Sequence, residues 1–356
     1  MRVCILGSGL TSLTLAKALV NQKIYVENFF KQKKQTTDKS RTIGITKSNI
    51  EFFNNNIINI KKIIWKLNKI EIFSEKIPGE ELLKFENNEQ LFSIVRNYKL
   101  EKILQQSLVK NKFYKKNYQD NISINHNNYD LVINLEFSNL ISKKFFSKKV
   151  KKKYKSYAHT AILRHDKIKN NVARQIFTKI GPLAFLPISD RETSVVYSIK
   201  NSHNVRKENF TDLINNYNLI YKIEKIEKIS SFELNSISLR SYYYKNILAF
   251  GELIHKIHPL AGQGFNMTLR DIKILLKIIQ NKQNLGLPLN NLVNQEFEQS
   301  IKHKNFIFSN GIDFVYEFFN FESKIKSKIF SESLKYFGNK KSINDMFKRI
   351  ADIGFN

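Results

Sequence analysis

The opening of the chain changes its apolar rhythm twice. Val3-Cys4-Ile5-Leu6 is a short unbroken apolar run, the pattern of a strand buried on both faces. Gly7 and Gly9 interrupt it. Apolar residues resume at helical spacing from Leu13 to Val20, and a second strand pattern covers Ile24 to Phe30. A strand, tight turn, helix and second strand are therefore predicted. Ile50 to Leu67 and Leu91 to Leu108 predict helices, the latter with its apolar face at Leu100, Ile103, Leu104 and Leu108. Asp130 to Ile133 predicts another strand. Strand-like runs recur between 156 and 240 (HTAIL, LAFLPI, TSVVYSI, ISLRSY). Ile247 to Phe250 predicts a strand entering a glycine-bearing loop, and beyond Met267 the pattern is helical to the end. With five prolines and no Pro/Gly-rich linker, the lobes are expected to interleave rather than follow one another.

The first turn carries chemistry. In Gly7-x-Gly9-x-x-Ser12, the first glycine permits the turn and the second lets backbone approach a pyrophosphate. Ser12 is small enough for strand–helix packing, and the helix N-terminus offers N–H groups and positive charge to phosphates. A plain strand-to-helix turn is the alternative. The acid that holds a ribose at the end of the second strand is expected near Phe30, which cannot do that work. Glu27 is the candidate substitute, and a solvent-facing strand charge is its alternative.

Composition narrows the classes. The chain has 356 residues, with 59 Lys and Arg against 31 Asp and Glu, a net charge of +28. Such a charge is one footprint of nucleic-acid binding, but no nucleic-acid-reading motif accompanies it. The lysines travel with Ile, Asn and Phe along the whole chain, which points to a general compositional bias. The densest patch, residues 143–155, holds eight lysines. It is expected to be a solvated loop or a contact for anionic lipid. The single cysteine, Cys4, fits a reducing compartment and excludes a disulfide scaffold. The glycines inside the N-terminal apolar run argue against a signal peptide, and no apolar run is long enough to cross a bilayer. His255 and His258 stand three apart without an evident third ligand, so no metal site is expected.

The most informative segment is GELIHKIHPLAGQGFNMTLRD, residues 251–271. A strand ends at Phe250. A loop follows with Glu252, His255, His258 and Pro259, then Leu260-Ala261-Gly262-Gln263-Gly264, and a helix starts near Phe265 and Asn266. This segment resembles the G-D-A-A-H-x-x-x-P-x-x-G-Q-G-x-N block of the FAD-dependent aromatic hydroxylases, in particular the ubiquinone-biosynthesis group. Arg41 in Ser40–Ile45 is similar to that family's flavin-side arginine. Ser93–Asn97, Tyr157–Ala161 and Gly181–Pro187 are similar to further family segments, as is EFEQSIKHKNFIFSNGIDFVYEFF near the C-terminus. Three positions depart from the pattern: Phe30, Glu252 in place of an aspartate, and Glu136-Phe137 in place of Asp-Gly.

The resemblance implies an α/β fold. A Rossmann-like FAD-binding domain (1–65, 96–140 and 240–285) would interleave with a mixed β-sheet substrate domain (66–95 and 141–239), before a C-terminal helical region (286–356). FAD is the implied cofactor, with NAD(P)H and dioxygen as co-substrates and a prenylated phenol or quinone precursor as substrate. The implied cofactor residues are Gly7, Gly9, Ser12, Glu27, Arg41, Glu252 and the 260–266 loop. Pro259 is a catalytic candidate beside the reactive flavin edge and His255 a second catalytic candidate, with structural packing or a hydrogen bond to backbone as its alternative, and Glu252 would bond a ribityl hydroxyl. Tyr157, His159, Phe185 and Pro187 are expected on the substrate side, with ordinary core packing as the alternative for the histidine and the aromatic residues. The family further implies work at the cytoplasmic face of a membrane and contact with a quinone-biosynthesis complex. The departures leave a second reading: a homologue that has lost turnover and serves as an assembly protein.

Overall fold

The computed structural model describes the chain except residues 32–37, 119–124, 201–206, 326–327, 339 and 355–356, and except the side chains of 207, 208, 261, 330 and 341. The opening unit is β1 (Arg2–Leu6), α1 (Leu10–Asn21) and β2 (Tyr25–Phe30). There follow β3 (Thr42–Thr46), α2 (Lys47–Asn56), β4 (Ile64–Leu67), β5 (Lys69–Ser74), β6 (Glu81–Glu86) and β7 (Phe92–Arg96). Next are α3 (Asn97–Val109), β8 (Tyr114–Tyr118), β9 (Leu131–Asn134) and α4 (Leu140–Phe145). The middle of the chain comprises β10 (Lys149–His165), β11 (Val172–Thr178), β12 (Gly181–Pro187), β13 (Glu192–Lys200), α5 (Lys207–Asn215), β14 (Ile223–Ile226) and β15 (Ser230–Leu239). Short strands β16 (Tyr243–Tyr244), β17 (Ile247–Ala249) and β18 (His255–Lys256) lead to α6 (Gln263–Asn284), α7 (Asn291–Lys324), α8 (Ile329–Gly338) and α9 (Lys341–Ile353).

Among the described residues the strands form three sheets. The first runs β16-β17-β9-β1-β2-β8 and is parallel apart from β16. Val3 to Leu6 lie at its centre, fully buried, as the unbroken apolar run requires. Leu13 and Leu19 of α1, Leu104 and Leu108 of α3, and Ile272 and Leu276 of α6 complete that core. The second sheet runs β18-β15-β10-β13-β12-β11-β5-β6, with β14 also paired to β10. Only its β11–β5 pair is parallel. Helix α5 covers one face, where Phe210 and Ile214 pack on Leu163, Leu183, Phe185 and Val195. The opposite face meets the first domain: Ser40 and Thr160 share a 3.2 Å hydrogen bond, and Thr42 donates to Ser194 at 2.9 Å. A small antiparallel sheet, β3-β7-β4, lies between them.

Three local expectations are corrected. Residues 91–108 are not one helix: β7 precedes α3, because Phe92 to Val95 pair with β3 and β4. Residues 50–67 are not one helix either. Helix α2 stops at the Asn54-Asn55-Asn56 run, where the Asn54 carboxamide accepts from Ile60 N at 2.8 Å, and asparagine side chains of this kind compete with helical backbone bonds. The 143–155 segment is not a loop, since Lys149 to Lys153 pair with β15. The strands of the first sheet fall within 1–65, 96–140 and 240–285. Those of the second fall within 66–95 and 141–239, apart from β18 at its edge.

Candidate functional site

Two helix N-termini carry exposed glycines, and that of α1 lies at the carboxyl end of the parallel sheet, the crevice where open α/β folds bind ligands. Gly9 is the N-cap of α1, exposed, with nothing within 4 Å of where a Cβ would stand. Ser12 turns inward and donates to Gly7 O at 2.7 Å, which fixes the turn. Gly7 is buried, and a Cβ on it would meet Leu135 at 3.1 Å. Across the crevice, Gly251 abuts the first turn of α1, a Cβ there standing 3.0 Å from Thr11 Cγ2. Glu252 beside it is exposed. The second N-terminus is that of α6, entered through Gly262 with φ 63° and ψ 26°, a left-handed conformation that favours glycine. Gly264 is exposed and has only Ile257 Cγ1, at 4.0 Å, near a Cβ position.

This arrangement fits FAD. Exposed glycines over free helical N–H groups make a cradle for a pyrophosphate or the polar edge of a flavin. The buried Gln263 side-chain oxygen has no hydrogen-bond partner, which leaves an acceptor at the α6 turn. Arg41, just before β3, sets its guanidinium 5.1 Å over the ring of Phe232 on β15. Pro259 and Phe265 are half-buried and Leu260 is buried, its side chain packing with Phe177 and Phe319. The side chain of Ala261 lies outside the described residues.

Other candidates are placed elsewhere or otherwise engaged. Glu27 sits in mid-strand opposite Cys4, 4% exposed, where it takes the Arg2 guanidinium and accepts from Tyr129 at 3.1 Å. That position is away from the end of β2, so Glu27 does not replace the missing ribose acid. The end of β2 carries Phe30, with the Lys116 ammonium 4.6 Å over its ring, and Lys31, which bonds Glu136 at 2.9 Å. His255 is taken up by protein: its Nε2 meets Asp271 of α6 at 2.5 Å in a buried pair, and Asp271 also accepts from Asn305. Asn266 is wholly engaged by protein. It donates to Gly44 O and Gly262 O and accepts from Thr46 N and Asn49, so it holds the loop's shape.

The four substrate-side candidates share one sheet face, and it is the other one. Tyr157 pairs with Ile199, His159 with Tyr197, Phe185 with Val195 and Pro187 with Thr193. Side chains alternate along a strand, so all four turn to the face covered by α5, where His159 lies 6.2 Å from Phe210. The face toward the glycine turns carries Ala158, Val196, Phe232 and Leu234 instead, closed at one end by Tyr154 and by Tyr316 of α7. His258 packs there, its pKa pulled down to about 3 by burial. Tyr316 escaped the sequence reading because nothing local links a residue of a long helix to a loop far earlier in the chain. Among the described residues no group of three His, Cys, Asp or Glu side chains has the arrangement of a metal site.

The fold and the two glycine turns are similar to those of FAD-dependent monooxygenases. Its sequence relatives are ubiquinone-biosynthesis hydroxylases. It is 27% identical to the ubiquinone biosynthesis monooxygenase COQ6 of Danio rerio over 209 residues, 46% of this chain and 43% of that protein. It is 28% identical to the 3-demethoxyubiquinol 3-hydroxylase of Escherichia coli K12 over 160 residues, 41% and 39% of the two chains. The chain thus matches less than half the length of these curated relatives. No family model matches it. The fold extends further than the sequence match. The p-nitrophenol 4-monooxygenase PnpA of Pseudomonas putida superposes with a TM-score of 0.79 at 10% identity, covering 99% of this chain and 98% of its own. PqsL of Pseudomonas aeruginosa, a probable FAD-dependent monooxygenase, superposes with a TM-score of 0.73 at 13% identity, covering 94% and 99%.

Proposed function

We propose that this chain is an FAD-dependent monooxygenase that hydroxylates the ring of a lipophilic phenol or quinone precursor in ubiquinone biosynthesis. NAD(P)H would furnish two electrons, one atom of dioxygen would enter the ring and the other would leave as water. The observation that carries the reading is that two helix N-termini, that of α1 directly after β1 and that of α6 after the 260–262 turn, each present an exposed glycine with open space above its Cα. Bound flavin would supply the electron exchange and the activation of dioxygen. The chain's own residues bind and orient. The N–H groups of α1 after Gly9 would hold the pyrophosphate, and the exposed Glu252 would bond a ribityl hydroxyl. The N-terminus of α6 would offer its positive end to the polar edge of the ring. Pro259 and Leu260 would form the wall beside that edge, and Arg41, whose guanidinium stands over Phe232 of the apolar sheet face, would meet the flavin from that side.

The substrate's lipophilicity calls for contact with a membrane surface, since no helix among the described residues is long and apolar enough to cross one. The exposed lysines of 143–155 supply attraction to anionic headgroups. Phe146 and Tyr154 are buried while Val150 is exposed, so this contact would be mainly electrostatic with shallow apolar contact. Phe30 and Lys31 at the end of β2 favour a second reading, a weakly binding homologue that serves within a quinone-biosynthesis complex. Incubation of the FAD-saturated protein with NADH or NADPH and 2-farnesylphenol, followed by mass spectrometry, separates the two. A product heavier by one oxygen atom is expected. Cofactor oxidation that 2-farnesylphenol does not stimulate, with no oxygenated product, would exclude the hydroxylase reading.

A further inference from the structure

The sheet face turned toward the glycine turns is apolar in its middle, at Ala158, Val196, Phe232 and Leu234, and ends at an aromatic cluster. In that cluster the His258 ring is stacked on Tyr316 at 4.2 Å and meets Tyr154 edge-on at 5.0 Å. Both tyrosine hydroxyls are engaged: Tyr154 donates to Asp313, and Tyr316 shares a 3.1 Å hydrogen bond with Ser156. His258 differs from them. It is 1% exposed, yet neither ring nitrogen has a hydrogen-bond partner. A neutral imidazole presents one donor and one acceptor, and buried polar groups of native proteins are almost always paired. Burial keeps this ring neutral, with Lys152 opposing its protonation and Glu317 favouring it. His258 also directly precedes Pro259, so it lies where the flavin-side loop meets the apolar face.

We propose that His258 is the site that takes the substrate's phenolic hydroxyl, its unprotonated ring nitrogen accepting that hydrogen bond while the face of Ala158, Val196, Phe232 and Leu234 takes the ring and the start of its prenyl chain. This deepens the hydroxylase reading and rests on it. Accepting the bond draws the hydroxyl proton toward nitrogen and enriches the ring in electrons, which is what an electrophilic oxygen donor requires. His258 thus serves as a binding and activating residue, and the aromatic walls of Tyr154 and Tyr316 fix its plane.

The test compares 2-farnesylphenol with its methyl ether, which cannot donate a hydrogen bond, by calorimetric titration of the full chain in detergent micelles, with and without FAD. Wild type is expected to prefer the phenol by about tenfold, the effect of one net hydrogen bond. His258→Phe should bind both ligands alike, at the affinity wild type shows for the ether. His258→Gln, which retains an acceptor, should keep part of the preference, and it provides a second variant should His258→Phe fold poorly. His258→Phe should also melt no lower than wild type without ligand, because it removes two unpaired buried atoms. Equal affinity of wild type for phenol and ether, failure to bind either, or an undiminished preference in His258→Phe would overturn the proposal. Failure of wild type to bind FAD would instead overturn the flavin reading, while the phenol preference is still measured without cofactor.

Discussion

At the scale of single residues, the glycines differ in the space above their Cα. Gly264 has open space above its Cα, whereas a Cβ on Gly181 would stand 1.9 Å from Ser198 O at a φ of +145°. Gly264→Val should therefore lower FAD affinity at least tenfold by flavin fluorescence titration and leave the apo-protein melting temperature nearly unchanged. Gly181→Ala should show the reverse, a loss of several kcal/mol in stability, since backbone would have to move. Glu27→Gln should weaken the contact with Arg2 but leave FAD affinity unchanged; a fall in affinity would return Glu27 to the cofactor site. His258 gives a pH dependence. Its folded pKa of about 3 lies below the usual histidine value of 6.5, so the unfolded chain binds the proton more readily. Stability from this group is complete above about pH 6.5 and falls as pH drops toward 3, by up to about 1.4 kcal/mol per pH unit. His258→Phe should flatten that part of a urea-unfolding profile relative to wild type, and parallel profiles would contradict the burial of a neutral ring.

At the scale of elements, the C-terminal helix closes on the cofactor domain. The N-terminus of α2 has no cap from its own Thr46, and Asp352 of α9 supplies one by accepting from Ser48 N at 3.1 Å and Ser48 Oγ at 2.7 Å. Losing such a cap costs about 0.5–2 kcal/mol, so Asp352→Ala should lower the melting temperature by a few degrees and speed amide exchange in α2. Unchanged exchange would show that α9 merely rests there. The opening strand-turn-helix-strand was legible because buried parallel strands and helices leave distinct periods in a short stretch. The loop from Glu252 to Asn266 was legible as a motif. The register of the second sheet was not. Period two says that Tyr157 and His159 share a face, but only pairing with β13 and packing under α5 say which face it is. The His255–Asp271 pair, the bonds of Asn266 to β3 and α2, and the Tyr316 wall on His258 all join segments that local pattern does not connect.

At the scale of the whole molecule, the net charge of +28 acts on partners rather than on the fold. Lys143, Lys144, Lys148 and Lys151 are exposed, whereas Lys152 is paired with Asp313 and Glu317. Each basic residue near an anionic surface contributes about 1 kcal/mol, screened over a Debye length of about 8–10 Å. Changing those four exposed lysines to Glu should release the protein from phosphatidylglycerol vesicles at low salt and leave flavin binding intact. Equal pelleting of both proteins would remove 143–155 from the membrane contact. The central claim is that the two glycine turns hold a flavin that turns over. The most direct measurement is anaerobic titration of the purified chain with FAD, followed by NADH or NADPH with 2-farnesylphenol present, watching the flavin absorption band. The expected result is saturable FAD binding, weak because Phe30 replaces the ribose acid, followed by bleaching on addition of the nicotinamide and recovery of colour with air. No saturable uptake of FAD at millimolar concentration would contradict the account, and bound flavin that neither nicotinamide bleaches would reduce this chain to a flavin-holding homologue without the activity proposed.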